Sequence, residues 1–470
     1  MTSGLVLVIE ILAGRLMAPY VGVSLETFTG IIGTILGGIA LGAAFGGSLA
    51  DRHDPVRLIG LALFFGGGLT WLSLPIVLIL GPNVGRGPVA IVTLAAAAFF
   101  LPAAVLSGIG PMVAKLELGS LEDTGAVVGK LSAAGTFGAL AGTFGTGFIL
   151  IAIAPVRAII IGVGAVLVLA GIIVFAKSGR RRPDTVEIAA VIFAAVFSVA
   201  LQSPCEITTD YFCVQVVADE ETDREDPQPG GRSLILDRLR HAHVDLDDPL
   251  RLDIRYIRLF ADVVESLPPG PIRVLHVGGG GFSLPRFINE VRPGSENVVL
   301  ELDDQLVEIA QDQLGLTDDD NLDIRTGDAR LHFRDLPTDG FDLIIGDAFA
   351  ADSVPWHLTT TEVITEFERL LVSDGLYAMN VIDGDESRFA RAQLDTLGET
   401  FTELSVIVPW EGIESFRTNQ ILLAANRDIP RLEIEQDDGR QLSADEVIQY
   451  LGDNRIILRD DFAPADQLLS

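Results

Sequence analysis

The run VLHVGGGGFSLP, residues 274–285, decides how the second half of this 470-residue chain is read. An apolar stretch, IRVLHV (272–277), meets four consecutive glycines, Gly278–Gly281, and a helix-like segment follows. Glycine has no Cβ, so such a loop can turn tightly and let a ligand approach its backbone. The chain holds 49 glycines, so the cluster alone is a weak signal. Its surroundings give it weight. Further apolar runs at 297–302, 322–326, 341–346, 375–381, 403–408 and 419–425 read as strands, and helical patterns fill most of the gaps. Strand–helix alternation predicts a parallel, doubly wound, Rossmann-like sheet with ligands at the carboxyl ends of its strands. Gly278, Gly279 and Gly280 then stand at the carboxyl end of the first strand.

Acids follow the next three strands. The second strand ends in VVLELDD (298–304), 23 residues beyond the loop, where a carboxylate can accept both hydroxyls of a ribose. Glu301 is the first candidate and Asp303 the second. The third strand runs into RTGDAR (325–330), with Asp328, and the fourth into DLIIGDAFAADSVP (342–355), with Asp347 and Asp352. A generic sheet carries one or two such acids by chance; this row along one rim is a more specific constellation. His357, in VPWHLTT, falls near the same mouth, although a lone His is more often a structural hydrogen-bonder. Ahead of the sheet, YFCVQVVAD (211–219), RSLILDRL (232–239) and RHAHVDL (240–246) predict a small antiparallel β unit.

Composition divides the chain at about Ser203. Residues 1–203 hold 9 acids and 11 bases, whereas residues 204–470 hold 55 acids, 22 arginines and no lysine. The first part raises the whole-chain mean hydropathy to +0.42, and the formal charge of −31 divides into +2 for the first part and −33 for the second. An acidic, lysine-free surface stays hydrated at high salt, which predicts a halophilic setting; a GC-rich genome explains the missing lysine but not the excess acid. It argues against nucleic acid as a partner, since phosphate binding needs a basic footprint. Two cysteines, Cys205 and Cys213, are too few for a closed zinc site. Either a disulfide or a pair of inert thiols fits them.

Residues 1–203 read as apolar spans at about 4–22, 27–49, 57–80, 88–110, 126–153, 156–176 and 186–202, most of them long enough to cross a bilayer. The expectation is a multi-pass protein of the cell membrane with six or seven transmembrane helices; the seventh span, with Glu187 near its start, is the weakest. Dense Gly and Ala, as in GTILGGIALGAAFGG, suit close helix–helix packing in lipid. Glu10 and Arg15 lie within the first span, where charges are costly and are paired, functional or drawn to an interface. Loops after spans 2, 4 and 6 carry Arg52, Arg57, Lys115, Lys130, Lys177 and Arg180–Arg182, against Arg86 and Arg157 on the other side. That places the basic loops and the N-terminus in the cytoplasm. Seven crossings put the acidic half outside; six put it inside. The domain boundaries expected are 1–203, 204–250 and 251–470.

LILDRLRHAHVD, VLHVGGGGFSLPRF, VVLELDD, GDAR and FDLIIGDAFAADSVPWHLTTTEVITEF together resemble the spermidine synthase (polyamine aminopropyltransferase) family over roughly 208–425. EILAGRLMAPYVG and GGSLADR resemble the membrane region fused to such domains in some prokaryotes. The resemblance implies a sheet of the S-adenosylmethionine-dependent transferase type and decarboxylated S-adenosylmethionine as co-substrate, with no metal and no prosthetic group. It implies transfer of an aminopropyl group to a small amine, and it is compatible with a homodimer. A methyltransferase using S-adenosylmethionine, or an inactive transport or scaffold protein, are the other readings. Carried over by position, Gly278–Gly280 line the donor, Glu301 takes the ribose and Asp328 the adenine side. His241 stands where the family has a donor-contacting Gln. Asp347 is the base that orients and deprotonates the amine, with Tyr256 and Asp352 on the amine side. Two further positions depart from the pattern: Gly281 replaces an Asp after the third glycine, and Tyr256-Ile257-Arg258 replaces Tyr-His-Glu.

Overall fold

The computed structural model describes residues 1–470 except 86, 119–123, 179–182, 202–204, 222–226, 238, 350–353, 411–416, 436 and 470. The chain forms two compact units, Met1–Cys213 and Val214–Ser470.

Among the described residues, the first unit has six helices long and apolar enough to cross a membrane: α1 (Thr2–Val21), α2 (Leu25–Arg52), α3 (Pro55–Leu80), α4 (Pro88–Glu117), α5 (Thr124–Ile153) and α6 (Val156–Ser178). Side-chain caps set two of the starts. The Thr27 N–H donates to Ser24 Oγ at 3.1 Å, and the Val56 N–H to Asp54 Oδ1 at 3.3 Å, with Pro55 at the first helical position. Small residues bring backbones together, as the sequence implied. A Cβ on Gly46 of α2 would lie 2.5 Å from the Gly108 carbonyl of α4, and Gly142 of α5 packs on Gly4 of α1. The basic positions Arg86 and Arg180–Arg182 lie outside the described residues.

The seventh span is a shorter helix, α7 (Thr185–Ala200), of 16 residues. An Asp184–Glu187 capping box starts it, so Glu187 is consumed at a helix end. Its length of about 24 Å is less than the hydrocarbon core of roughly 30 Å. Ser198 Oγ donates to the Trp71 carbonyl of α3 at 2.7 Å. Arg157, at the start of α6, donates to the Ser198 and Val199 carbonyls at 2.8 Å, so α7 ends near the start of α6. Arg15 donates to the Thr209 carbonyl at 3.3 Å. Cys205 and Cys213 form a disulfide, which removes the thiol alternative.

A small sheet in the order β1 (Ile207–Thr208), β2 (Cys213–Ala218), β3 (Gly231–Leu236) and β4 (Leu239–Asp245) opens the acidic half, with β2–β3 and β3–β4 antiparallel. The main sheet contains β5 (Arg273–Val277), β6 (Glu296–Glu301), β7 (Leu322–Thr326), β8 (Phe341–Gly346), β9 (Leu371–Asp383), β10 (Glu403–Val408), β11 (Thr418–Ala425) and β12 (Arg440–Gln441), in the order β12-β10-β11-β9-β8-β5-β6-β7. Neighbouring residues sort into two cores. On β8, Leu343 and Ile345 pack on one face with α8 (Arg255–Ser266) and α9 (Ser283–Val291); Ile344 packs on the other with α12 (Thr361–Leu370) and α13 (Arg388–Leu397). Burial on both faces explains why these strands read as unbroken apolar runs.

One expectation needs correcting: the sheet is mixed. Strands β7-β6-β5-β8-β9 are parallel, but β11 runs antiparallel to both β9 and β10. The helix α13 carries the chain from β9 to β10. Only nine residues, 409–417, join β10 to β11, fewer than the dozen or so that a parallel crossover needs, and β11 fills the gap between β9 and β10 in the opposite sense. The strand order reverses between β5 and β8, and ligands of such sheets bind outside that switch point.

Candidate active site

The loop after β5 is shaped by contacts that exclude side chains. Gly278 has φ 106° and donates its N–H to the Leu300 carbonyl at 2.9 Å. A Cβ there would collide with the Asp347 backbone carbonyl, so the end of β8 and the loop share one wall. The Gly279 and Gly280 N–H groups donate to Glu301 Oε2 at 2.9 and 3.2 Å, and the Asp303 N–H donates to Oε1 at 3.0 Å. Burial pushes the Glu301 pKa up while these donors pull it down. Glu301 thus spans the loop and the end of β6, where a ribose edge would lie. A Cβ on Gly281 would stand 2.7 Å from Ala242 Cβ and 3.1 Å from Val244 Cγ2 of β4. The small sheet therefore occupies the space of a side chain at 281, which accounts for glycine at a place where an acid was expected.

Asp347 emerges from β8 on the other side of the switch point, its N–H donating to the Val277 carbonyl at 2.9 Å. Asn380 Nδ2 of β9 donates to its Oδ1 at 2.8 Å, and the Tyr256 hydroxyl of α8 lies 3.1 Å from its Oδ2. Loss of water raises the Asp347 pKa to about 6, against the opposing pull of Asn380 and Tyr256. Tyr256 is pushed well above the usual phenol range by burial first and by the Asp347 charge second. Asn419 Nδ2 of β11 donates to Asn380 Oδ1 at 2.9 Å. These groups line a cleft of about 140 Å³ together with His241, His276 and Gly278–Gly281. Burial lowers the His241 and His276 pKa values to about 4, so both are neutral at pH 7. The arrangement presents a poised carboxylate to a small, mostly neutral cleft beside a glycine loop. Such a group can hold a cation or take a proton.

No protein-family model matches the chain. A polyamine aminopropyltransferase of Vibrio vulnificus is 27% identical over 218 residues, covering 43% of this chain and 71% of that protein. The chain is spermidine synthase-like. An eEF1A lysine and N-terminal methyltransferase of Danio rerio is 31% identical over 162 residues, covering 33% of this chain and 23% of that protein. The solved structure of a "probable spermidine synthase" from Corynebacterium glutamicum is similar at 22% identity and a TM-score of 0.49, over 55% of this chain and 96% of that one.

Within this spermidine synthase-like unit, the structure brings His241, Tyr256, Gly278, Gly279, Gly280 and Asp347 to one cleft, with Glu301 directly behind the loop. Asp303 is fully buried and caps α10 (Asp304–Gln313) through the Gln305 N–H at 3.1 Å, so it is held as a helix cap. Asp328 caps α11 (Ala329–His332) and lies 3.3 Å from His357 Nε2, outside the cleft lining. His357 is thereby placed against the acid expected on the adenine side. Asp352 lies outside the described residues. Arg258, which stands in place of the family's acid, turns to Asp438, with Nε at 2.8 Å from Oδ2. Sequence reasoning missed Asn380 and Asn419. Their signal was an Asn near the carboxyl end of one buried strand and near the start of the next, a residue type depleted in strands.

Proposed function

We propose that this protein transfers an aminopropyl group from decarboxylated S-adenosylmethionine to a small amine, with Asp347 as the base. The observation that carries the reading is a carboxylate with a pKa near 6, held by Tyr256 and Asn380 at the switch point and in wall contact with the glycine loop. In the reaction the amine lone pair attacks the carbon next to the sulfonium. The carbon–sulfur bond breaks, its electron pair stays on sulfur as methylthioadenosine leaves, and the amine proton passes to Asp347. Glu301, held by the loop N–H groups, accepts from the ribose hydroxyls, and His241 faces the donor. Asp328 takes the adenine once His357 yields, and Asp352 adds to the amine side.

The experiment is release of methylthioadenosine by the full chain in detergent, with putrescine or a longer amine as acceptor. Asp347 works as the carboxylate. Below pH about 6, kcat/KM therefore falls tenfold per pH unit as Asp347 takes up a proton. No binding of donor or methylthioadenosine by calorimetry would remove the reading. Methyl transfer from S-adenosylmethionine is the second reading. It is favoured by Gly281, which leaves no acid for the donor's aminopropyl ammonium, and by the 31% identity to a methyltransferase.

We also read α1–α6 as crossing a lipid bilayer. The proposed enzyme draws on a donor made in the cytoplasm, so a C-terminal topology reporter is expected to signal from the cytoplasmic side. The disulfide Cys205–Cys213 and the end of α7 beside Arg157 pull the other way, which gives this measurement its force. An external signal would overturn cytoplasmic catalysis.

A further inference from the structure

Asp347 does not stand alone on its side of the cleft. Asn380 is opposite Ile421 and Asn419 opposite Ile382 in the β9–β11 register, so the two amides are diagonal neighbours on one sheet face. Both line the cleft. Their order has one consistent polarity. A carboxylate only accepts, so Asn380 turns its NH2 to Asp347 Oδ1 and its carbonyl away. That carbonyl receives the Asn419 NH2 at 2.9 Å. If the Asn419 amide is lost, only the Asp347 charge still orients Asn380, and once Asp347 is protonated the Asn380 carbonyl can rotate to accept its O–H.

We propose that Asn419 is a positioning residue that fixes the proton-accepting geometry of Asp347 through the Asn380 amide. The proposal rests on the reading of Asp347 as the base. Oδ1 is held from β9 by the ladder and Oδ2 from α8 by Tyr256, so the plane of the carboxylate is set by two donors on different elements. The remaining titratable groups along the cleft are His241 and Arg240 of β4 and His276 of β5. Burial keeps both histidines neutral above about pH 4, and Arg240 pairs with Asp253 at 2.7 Å. Among the described lining residues, Asp347 is therefore the group whose charge changes between pH 5 and 7. Its titration reports the ladder directly.

The test is infrared difference spectroscopy on the full chain in detergent. The carboxyl band of Asp347 is isolated by subtracting the Asp347→Asn spectrum and followed with pH, so neither donor nor acceptor is needed. The wild-type midpoint is expected near 6. Asn419→Leu removes the donor without adding charge, and its midpoint is expected to rise by about one pH unit, the equivalent of weakening one charge-assisted hydrogen bond. Asn419→Asp adds charge as well as reversing Asn380, and is expected to rise further. Methylthioadenosine calorimetry on each variant checks that the glycine loop is folded. Midpoints unchanged in both variants would overturn the proposal while leaving Asp347 as base. The base reading fails separately if Asp347→Asn retains full turnover, and the positioning role then falls with it. Rate measurements add a second arm: the acid limb of kcat/KM shifts with the infrared midpoint if Asn419 positions the base.

Discussion

Replacing Asp347 with Asn lowers kcat/KM by about three orders of magnitude while leaving donor affinity within roughly threefold, the range expected when a general base is removed from a positioned pair. The substitution keeps the shape of the side chain and removes its capacity to hold a proton. It also presents an NH2 to Asn380 or to Tyr256, where the wild-type carboxylate accepts from both. Donor contacts survive because the loop touches the backbone carbonyl of residue 347, not its side chain. Initial rates of methylthioadenosine release, set beside calorimetric titration with methylthioadenosine, separate the two effects. Turnover within tenfold of wild type would exclude Asp347 as the base. Loss of donor binding together with turnover would instead indicate a role in holding the loop.

Gly278→Ala produces the second large effect. The residue has φ 106°, where an L side chain is strained, and its Cβ would enter the Asp347 carbonyl. Neither partner can yield cheaply, because the Gly278 N–H is tied to Leu300 and the Asp347 N–H to Val277. Strain and overpacking together cost about 3 kcal/mol. Thermal unfolding is expected at a distinctly lower temperature, and methylthioadenosine affinity is expected to fall by more than about tenfold, or 1.4 kcal/mol, because the loop moves away from Glu301. A variant with wild-type melting and binding would show that the loop does not sit in this tight geometry.

Much of the architecture follows from chain-local chemistry. Each of the seven expected strands of the main sheet is present within a few residues, because short apolar runs bounded by turns have few other ways to be buried. The long apolar stretches form helices for a similar reason: once apolar over a membrane's width, a helix satisfies its own backbone. The placing of the glycine loop and Asp347 at one cleft was legible because the carboxyl ends of parallel strands are where a doubly wound sheet opens. The same strand ends also supply helix caps. Asp303 and Asp328 also follow strands, yet each begins a helix, and short carboxylates at such positions cap N–H groups. Position relative to a strand cannot separate a cap from a ligand group.

What the amino-acid sequence determined by itself is the division into an apolar and an acidic half, the strand–helix alternation, and the likeness of the loop and its following acids to spermidine synthases. Each depends on residue type and spacing along the chain. Tertiary structure alone decided the rest. Strand β11 runs antiparallel to β9 and β10, since the nine residues between β10 and β11 are too few for a parallel crossover. Gly281 is glycine because Ala242 and Val244 of a different sheet take up its side-chain space. Asn419 reaches Asp347 through two pairings: β9–β11 sets residue 419 beside 380, and β8–β9 sets 380 beside 347 just past the end of β8. Such contacts join positions far apart in the chain, and their chemistry arises from pairing and packing that no single stretch of residues contains.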